Sequence, residues 1–492
     1  MDSPGTNNPA AATAADEPIT LAWLKKTALA FEKKITLNTT LRARHPSAPE
    51  KFIDSEADLD TAIKTLSLLA EHTHLYPAFA ASGCAASLVS LLAHENTDIA
   101  LDAVEIIGEL TDEDVDARED EEWGVLVDAL LEADVLGLLV SNLARLDEEG
   151  VEADREGVYR ALGVVENLCS RPQTAEVVGK EEGLLRWLLE RIGRKGEKGV
   201  GQNRQYAAEI LALLVQGSEE TRRRLAGLDA VDAMLQLVAA YRKRDPEKGG
   251  DEEEYMENLF EALTSIVDEP EGKAKFVEAE GVELCLIMLK EGKRSKPAAA
   301  RLLDHAGSGA TGAGVCEKIV DAGGLKTMFT TFMKKHDRQM TEHLLNIFAS
   351  MLRSLPVESA ERIRTLAKFV EKDYEKTEKL VKLRRDYAAR VGAVDENMTP
   401  LEREADRDGL VRFSLRLEEG LFSLETIDEI LAWLVAEDDG AKKKIQALLA
   451  DRDEPLAVVR RTLEEKVAAI SDESEEGKEK KEMLTTLVRF LQ

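Results

Sequence analysis

Carboxylates and amides recur along this chain in an order that could hold a basic peptide. Glu105, Glu109, Glu209 and Glu261 are interleaved with Asn167, His305 and Asn346. Carboxylates accept charge-assisted hydrogen bonds from Lys and Arg, and an Asn amide can hold peptide backbone. Such a row suits an extended Lys/Arg-rich segment, though solvated helix faces in a chain with 33% charged residues would read the same way. A second acidic feature runs through Asp112, Glu113, Asp114, Asp116, Glu119, Asp120, Glu121 and Glu122, with Arg118 the only base among them. It is either a landing strip for a basic partner or a solvated loop between helices.

Other spacings mimic catalytic or metal sites without completing them. Gly307, Gly309 and Gly312 fit G-x-G-x-x-G, but a dinucleotide cradle needs those glycines between a strand and a helix. Here they follow the apolar helix of Leu302 and Leu303, so a helix-to-helix loop is expected. His72 and His74 lack the further ligands of a metal shell, and an offset of two does not share a helical face. No G-x-S-x-G, HExxH or P-loop pattern occurs. No catalytic residue, cofactor site or metal site is therefore expected, and the chain reads as a binding scaffold. Cys84, Cys169, Cys285 and Cys316 have no paired spacing and are expected as buried reduced thiols. Asn38 and Asn397 open sequons that, without a secretory signal, carry no weight.

The elements that would position the acidic row repeat six times between Phe79 and Leu355. In each, a small or polar residue precedes an apolar helix, and a polar gap leads to a second apolar helix. The first helices open near Gly83, Ala133, Gly183, Ala230, Gly281 and Gly324, roughly 43 to 51 residues apart, a period typical of helical solenoids. The second helices align on apolar residues at offsets 0, 4 and 7, from Ala103, Ile107 and Leu110 to Leu344, Phe348 and Met351. That narrow stripe predicts the core, and the acidic row stands opposite it, at offsets 2 and 6.

The expected fold is all-α, an armadillo/HEAT-like right-handed superhelical solenoid with helical caps. Residues 1–18 form a disordered tail, 19–78 an N-terminal helical cap and 79–355 about six repeats. Residues 356–409 form a charged helix and polar linker, and 410–492 a C-terminal helical cap. A stack of repeats buries its apolar faces neighbour on neighbour, so 492 residues require no second fold. A net charge of -30 disfavours nucleic acid and anionic membrane, which are bound through Lys and Arg. No apolar run approaches a spanning length and the start has no secretory pattern, so a soluble intracellular protein is expected.

A series of ordered matches then resembles one family. Phe31-Glu-Lys-Lys34, Pro49-Glu-Lys-Phe52, Ser55-Glu56 with Asp58-Leu59, and His94-Glu-Asn-Thr-Asp98 come first. Glu109-Leu-Thr-Asp112, Val164-Val-Glu-Asn167, Gly183-Leu-Leu with Trp187-Leu-Leu, Met256-Glu-Asn-Leu-Phe260, Leu303-Asp-His-Ala306 and Glu419-Gly-Leu-Phe422 follow in order. Over about residues 21 to 435 the chain resembles the beta-catenin-like protein 1 family of armadillo-type proteins. The resemblance implies a nuclear scaffold associated with the spliceosome and the NineTeen complex, serving pre-mRNA splicing without touching the RNA chemistry. Its implied partners are splicing proteins with basic nuclear-localisation-type segments, including the Myb-domain subunit of that complex. Two departures stand out: residues 1–18 contain no Lys or Arg, where relatives often carry a basic arm, and Asn167 is the only Asn at offset 6. Two other readings fit the same residues, a nuclear import carrier for basic cargo and a structural self-assembling subunit, for instance a homodimer.

Overall fold

The computed structural model describes residues 18–112, 120–197, 199–399, 406 and 409–492, and their regular elements are all helices, without strands. The tail expected over residues 1–18 lies outside the described residues apart from Pro18. The chain divides between Thr221 and Arg222 into two compact units. Among the described residues no single helix is long and apolar enough to cross a membrane.

The first unit begins with α1 (Leu21–Arg44), whose N-terminus is capped by the Thr20 hydroxyl and whose buried face is Trp23, Leu24, Ala28 and Phe31. It packs along α2 (Ile53–Thr65). Helices then come in threes: α3 (Tyr76–Ala81), α4 (Cys84–Ser90) and α5 (Thr97–Thr111); α6 (Asp120–Glu132), α7 (Val135–Leu143) and α8 (Glu152–Cys169); α9 (Pro172–Val178), α10 (Glu182–Gly193) and α11 (Gln202–Gly217). In the second unit the pattern continues after α12 (Glu219–Gly227), which straddles the division, with α13 (Ala230–Val238) and α14 (Asp251–Ile266). Next are α15 (Pro270–Glu278), α16 (Gly281–Glu291) and α17 (Ser295–Gly307), then α18 (Ala313–Asp321), α19 (Gly324–Met333) and α20 (Arg338–Ser354).

The two-helix repeat expected from the sequence is thus a three-helix repeat. Its first member is short, seven residues in α9 and nine in α15, too few to establish a period, and each of these opens on a proline. The small or polar residue read before each apolar helix is often the corner between the first and second members. Gly83, Asp134, Asp229, Glu280 and Gly323 all stand there in left-handed backbone conformation. At Gly83 the corner turns the chain by 80°.

The third members stack directly on one another, α2 on α5, α5 on α8 and α8 on α11 in the first unit, and α14 on α17 and α17 on α20 in the second. Every residue at offsets 0, 4 and 7 is buried, from Ala103, Ile107 and Leu110 to Leu344, Phe348 and Met351. At roughly 1.5–3 kcal/mol for each large aliphatic side chain removed from water, this stripe is what ties repeat to repeat.

At several helix ends, basic and amide side chains turned inward join the backbone caps. Asn142 and Arg145 donate to Leu92 O at 3.0 and 3.2 Å, ending the turn that follows α4. Arg204 donates to Ile192 O at 2.7 Å, at the end of α10. In the second unit the Lys273 ammonium, 4% exposed, meets the carbonyls of His305, Ala306 and Ser308 at 2.8, 3.3 and 2.9 Å. Positive charge is thereby drawn into the scaffold to complement the negative helix C-termini, and carboxylates are left to dominate the surface.

The second unit closes with α21 (Ala360–Asn397), α22 (Leu410–Glu418), α23 (Leu421–Glu437), α24 (Asp439–Ala450), α25 (Ala457–Ala469) and α26 (Glu475–Phe490). The expected polar linker is helical as far as Asn397, and residues 400–405, 407 and 408 lie outside the described residues. The charges of α21 are not a solvated spacer. Arg384 reaches Asp428 on α23 at 2.7 Å in a fully buried pair, and Glu429 beside it is held by Arg353 at 2.6 Å and Lys466 at 3.1 Å.

All four cysteines are free and buried. Burial pushes the Cys169 and Cys316 thiols up to about 12, which makes both poor nucleophiles. One carboxyl pair adds a pH dependence. Asp102 on α5 faces Asp60 on α2, and burial followed by the Asp60 hydrogen bond pushes it up to about 7, while Asp60 is pulled down by that same bond. A carboxyl raised above its unfolded value contributes stability that is full below pH ~4 and lost as pH rises through about 7. Asp102→Asn should therefore raise stability at pH 8 by on the order of 1 kcal/mol, with the gain shrinking towards pH 5. A gain that does not change with pH in thermal melts would contradict the shared proton.

Candidate partner-binding surface

In the first unit the expected row falls on the third helices. Glu105, half-buried on α5, is ion-paired with Arg160 of α8, which also holds Glu156 at 2.6 Å. One turn further, Glu109 is exposed; partial burial and then the Glu105 carboxylate raise its pKa. Asn167 gives its amide to Gly108 O at 3.0 Å and Thr111 Oγ1 at 3.3 Å, stitching α8 to α5. Glu209 on α11 is exposed and accepts from Gln205 at 2.8 Å.

The second unit carries the remaining members, each already engaged. Glu261 of α14 pairs with Arg301 of α17 at 2.9 Å. His305 lies 3.0 Å from Asp268, which raises the imidazole pKa, and Asn346 of α20 donates to Asp304 at 3.1 Å. The structure therefore separates the row. Glu109 and Glu209 stand open, whereas Glu105, Asn167, Glu261 and Asn346 make lateral bonds between neighbouring helices and His305 bonds to Asp268 in the loop after α14.

Of the acidic run, Asp112 and Glu121 are exposed and Glu122 half-buried. Glu113, Asp114, Asp116, Glu119 and the Asp120 side chain lie outside the described residues. The glycine motif is a loop from α17 to α18: Gly309 has a positive φ of 70° with ψ extended, which favours glycine, and a Cβ on Gly312 would meet Gly307 O at 2.3 Å. His72 and His74 stack edge to face, 5.9 Å between ring centres. Among the described residues no group of three His, Cys, Asp or Glu side chains converges as a metal site.

The more developed acidic feature was not singled out from the sequence. Beside α8 is a cavity of about 800 Å³ whose edge includes Glu149, Glu152, Glu156, Glu197 and Tyr159. Its floor is settled: Glu148, 6% exposed, is clamped by Arg191 at 2.9 Å, Arg194 at 2.7 Å and Asn203 at 3.1 Å. Its rim is exposed at Glu149, Glu152, Glu156 and the Tyr159 ring, with Glu156 also held by Arg160. Tyr159 is backed by Tyr206 at 5.1 Å between ring centres, and the Tyr206 hydroxyl is tied to Glu166. Carboxylates beside a braced aromatic face can receive an ammonium or guanidinium through ion pairing and cation–π attraction. The signal was present: Glu152, Glu156 and Tyr159 recur at i, i+4 and i+7, one helical face.

Comparison with known proteins agrees with this architecture. The family model described as catenin-beta-like, Arm-motif containing nuclear matches residues 6–464. Beta-catenin-like protein 1 homolog of Schizosaccharomyces pombe is 36% identical over 447 residues, 90% of this chain and 78% of the relative. Beta-catenin-like protein 1 of Homo sapiens is 35% identical over 474 residues, 92% of this chain and 83% of the relative. The crystal structure of an engineered protein shares the fold with a TM-score of 0.52 at 18% identity, covering 88% of this chain and 95% of that one. By sequence and by its armadillo-type three-helix repeats, the chain belongs to the catenin-beta-like family of Arm-motif-containing nuclear proteins.

Proposed function

We propose that this chain is a non-enzymatic nuclear scaffold that grips Lys/Arg-rich, nuclear-localisation-type segments of splicing proteins. In this reading it serves the spliceosome-associated NineTeen complex, whose Myb-domain subunit is among its partners, during pre-mRNA splicing. The observation that carries the proposal is the exposed acidic rim of α8 beside Tyr159, with Glu109 and Glu209 exposed on the helices to either side. Family membership supports the nuclear setting. An acidic surface on a chain of net charge -30 also steers basic segments towards itself and repels RNA.

The test is titration with a fluorescent Lys/Arg-rich nuclear-localisation peptide. The combined variant Glu109→Lys, Glu152→Lys and Glu209→Lys should weaken binding at least about tenfold, and raised salt should weaken the parent protein in the same sense. Full affinity in the triple variant would remove the assignment. Nuclease-resistant, salt-sensitive recovery of splicing proteins with the tagged chain would extend the result to its partners.

One observation favours a second reading, a structural subunit packed permanently against another helical protein or a second copy. Leu410, Phe413 and Leu417 on α22 are 64%, 48% and 39% exposed, an apolar face at i, i+3 and i+7. In that case association would be insensitive to both salt and the glutamate reversals.

A further inference from the structure

The acidic character of the chain reverses locally: residues 19–51 carry seven Lys and Arg against two Asp and Glu, and a longer basic stretch lies in the second unit. Residues 326–385 carry fourteen Lys and Arg against eight Asp and Glu, within a chain of net charge -30. Several of these cations gather at a cavity of about 440 Å³ between α19 and α21, lined by Lys326, Lys368, Lys372 and Lys376 together with Glu371 and Glu375. Phe329 and the half-exposed Met333 supply an apolar wall.

The backbone explains the gathering. Helix α21 is interrupted at Glu371, and the next three residues, Lys372, Asp373 and Tyr374, are left-handed before the helix resumes. Without that break, lysines at 368, 372 and 376 would continue along one straight ridge. With it, they border a concavity. The turn is held from both sides: Lys368 and Lys376 meet Glu371 at 3.1 and 2.6 Å, Asp373 meets Lys444 at 3.2 Å, and Tyr374 lies against Gly440, where any Cβ would come within 2.2 Å of its hydroxyl. Beneath it, Phe329, Phe348 and Phe369 pack ring on ring at 4.4 to 5.7 Å, fixing α19, α20 and the first half of α21 together.

Charge then selects the occupant. Lys376 is buried between Glu371 and Glu375, and Lys368 and Lys372 each meet one of the same two carboxylates. Lys326 is exposed and meets no carboxylate among the described residues. Four ammonium groups against two carboxylates leave two positive charges uncompensated, the charge of one phosphomonoester dianion. A long polyanion would meet the carboxylates that border the cavity, whereas a single compact dianion need not. The apolar wall fits the side chain next to the phosphorylated residue.

We propose that this lysine-lined cavity receives a phosphorylated serine or threonine of a partner peptide. The site is independent of the acidic rim of α8, and its ligand has the opposite sign.

The experiment uses the full chain and fluorescent degenerate peptides with a fixed central phosphothreonine, compared with the same peptides carrying threonine and with a single-stranded oligouridine. The phosphorylated peptides should bind at least tenfold more tightly than the threonine peptides. Lys326→Gln with Lys372→Gln should abolish that preference, while Lys290→Gln with Lys443→Gln, on other helices, should leave it unchanged. Glu375→Gln should strengthen binding, a gain that a damaged fold would not give. Equal binding of the two peptide sets, a preference surviving the Lys326 and Lys372 substitutions, or oligouridine binding lost with those substitutions would each overturn the proposal.

Discussion

Replacing Arg384 by methionine is expected to cost the second unit about 3–5 kcal/mol, a fall in its melting temperature of roughly 10 °C. The guanidinium is 4% exposed and its partner Asp428 is fully buried. Removing the cation strands a carboxyl that already resists ionisation. Burial pushes Asp428 up to about 6, against the pull of Arg384, so loss of Arg384 should drive it higher still. The sign follows from linkage. A carboxyl whose folded pKa lies above its unfolded value contributes stability that is full below the unfolded pKa and lost as pH rises through the folded one. The Arg384→Met variant should therefore be closer to the parent at pH 5 than at pH 8. Adding Asp428→Leu should recover most of the loss, because an apolar pair of similar volume has no charge to desolvate. Thermal melts of the two variants at both pH values check this; a single variant as unstable at pH 5 as at pH 8 would contradict it.

The second large effect is expected at Lys273. Its ammonium is the shared donor for three carbonyls at the end of α17 and the start of the loop to α18. Lys273→Met keeps the buried stem but leaves those carbonyls without their cation, for a loss of about 2–4 kcal/mol. Because the loop contains Gly309 at positive φ and the close approach of Gly312 to Gly307, the damage should be local as well as global. Amide exchange should accelerate most around residues 307–312, with α23 to α26 changing only through overall stability. Protection of that loop equal to the parent would show that the carbonyls do not depend on Lys273.

What the sequence discloses here follows from the length scale of each signal. The offsets 0, 4 and 7 of the third helices span two turns of fifteen- to eighteen-residue helices such as α5 and α8, so the stripe from Ala103 to Leu110 could be read and is buried. Helices as short as α9 and α15 hold too little of a period, and only Pro172 and Pro270 announce them. The acidic row was legible as a face but not as a set of partners. That Glu105 spends itself on Arg160, or Asn167 on Gly108 O, depends on residues brought together across some 55 positions of sequence. The same holds for Arg384 and Asp428: a charged stretch looks solvated until a second helix is laid over it. The Glu152, Glu156 and Tyr159 face needed only helical spacing, and it was hidden by the abundance of glutamate around it.

The left-handed corners at Gly83, Asp134, Asp229, Glu280 and Gly323 make the repeat indifferent to its own wording. A bend set by one residue's backbone angle leaves most of the following helix free in composition, apart from positions such as Gly281 that lie against the preceding helix. Cys84-Ala-Ala-Ser can follow it in one repeat and Gly281-Val-Glu-Leu in another. The helices of this architecture can accordingly be rewritten while its geometry is kept, provided that the joints are kept.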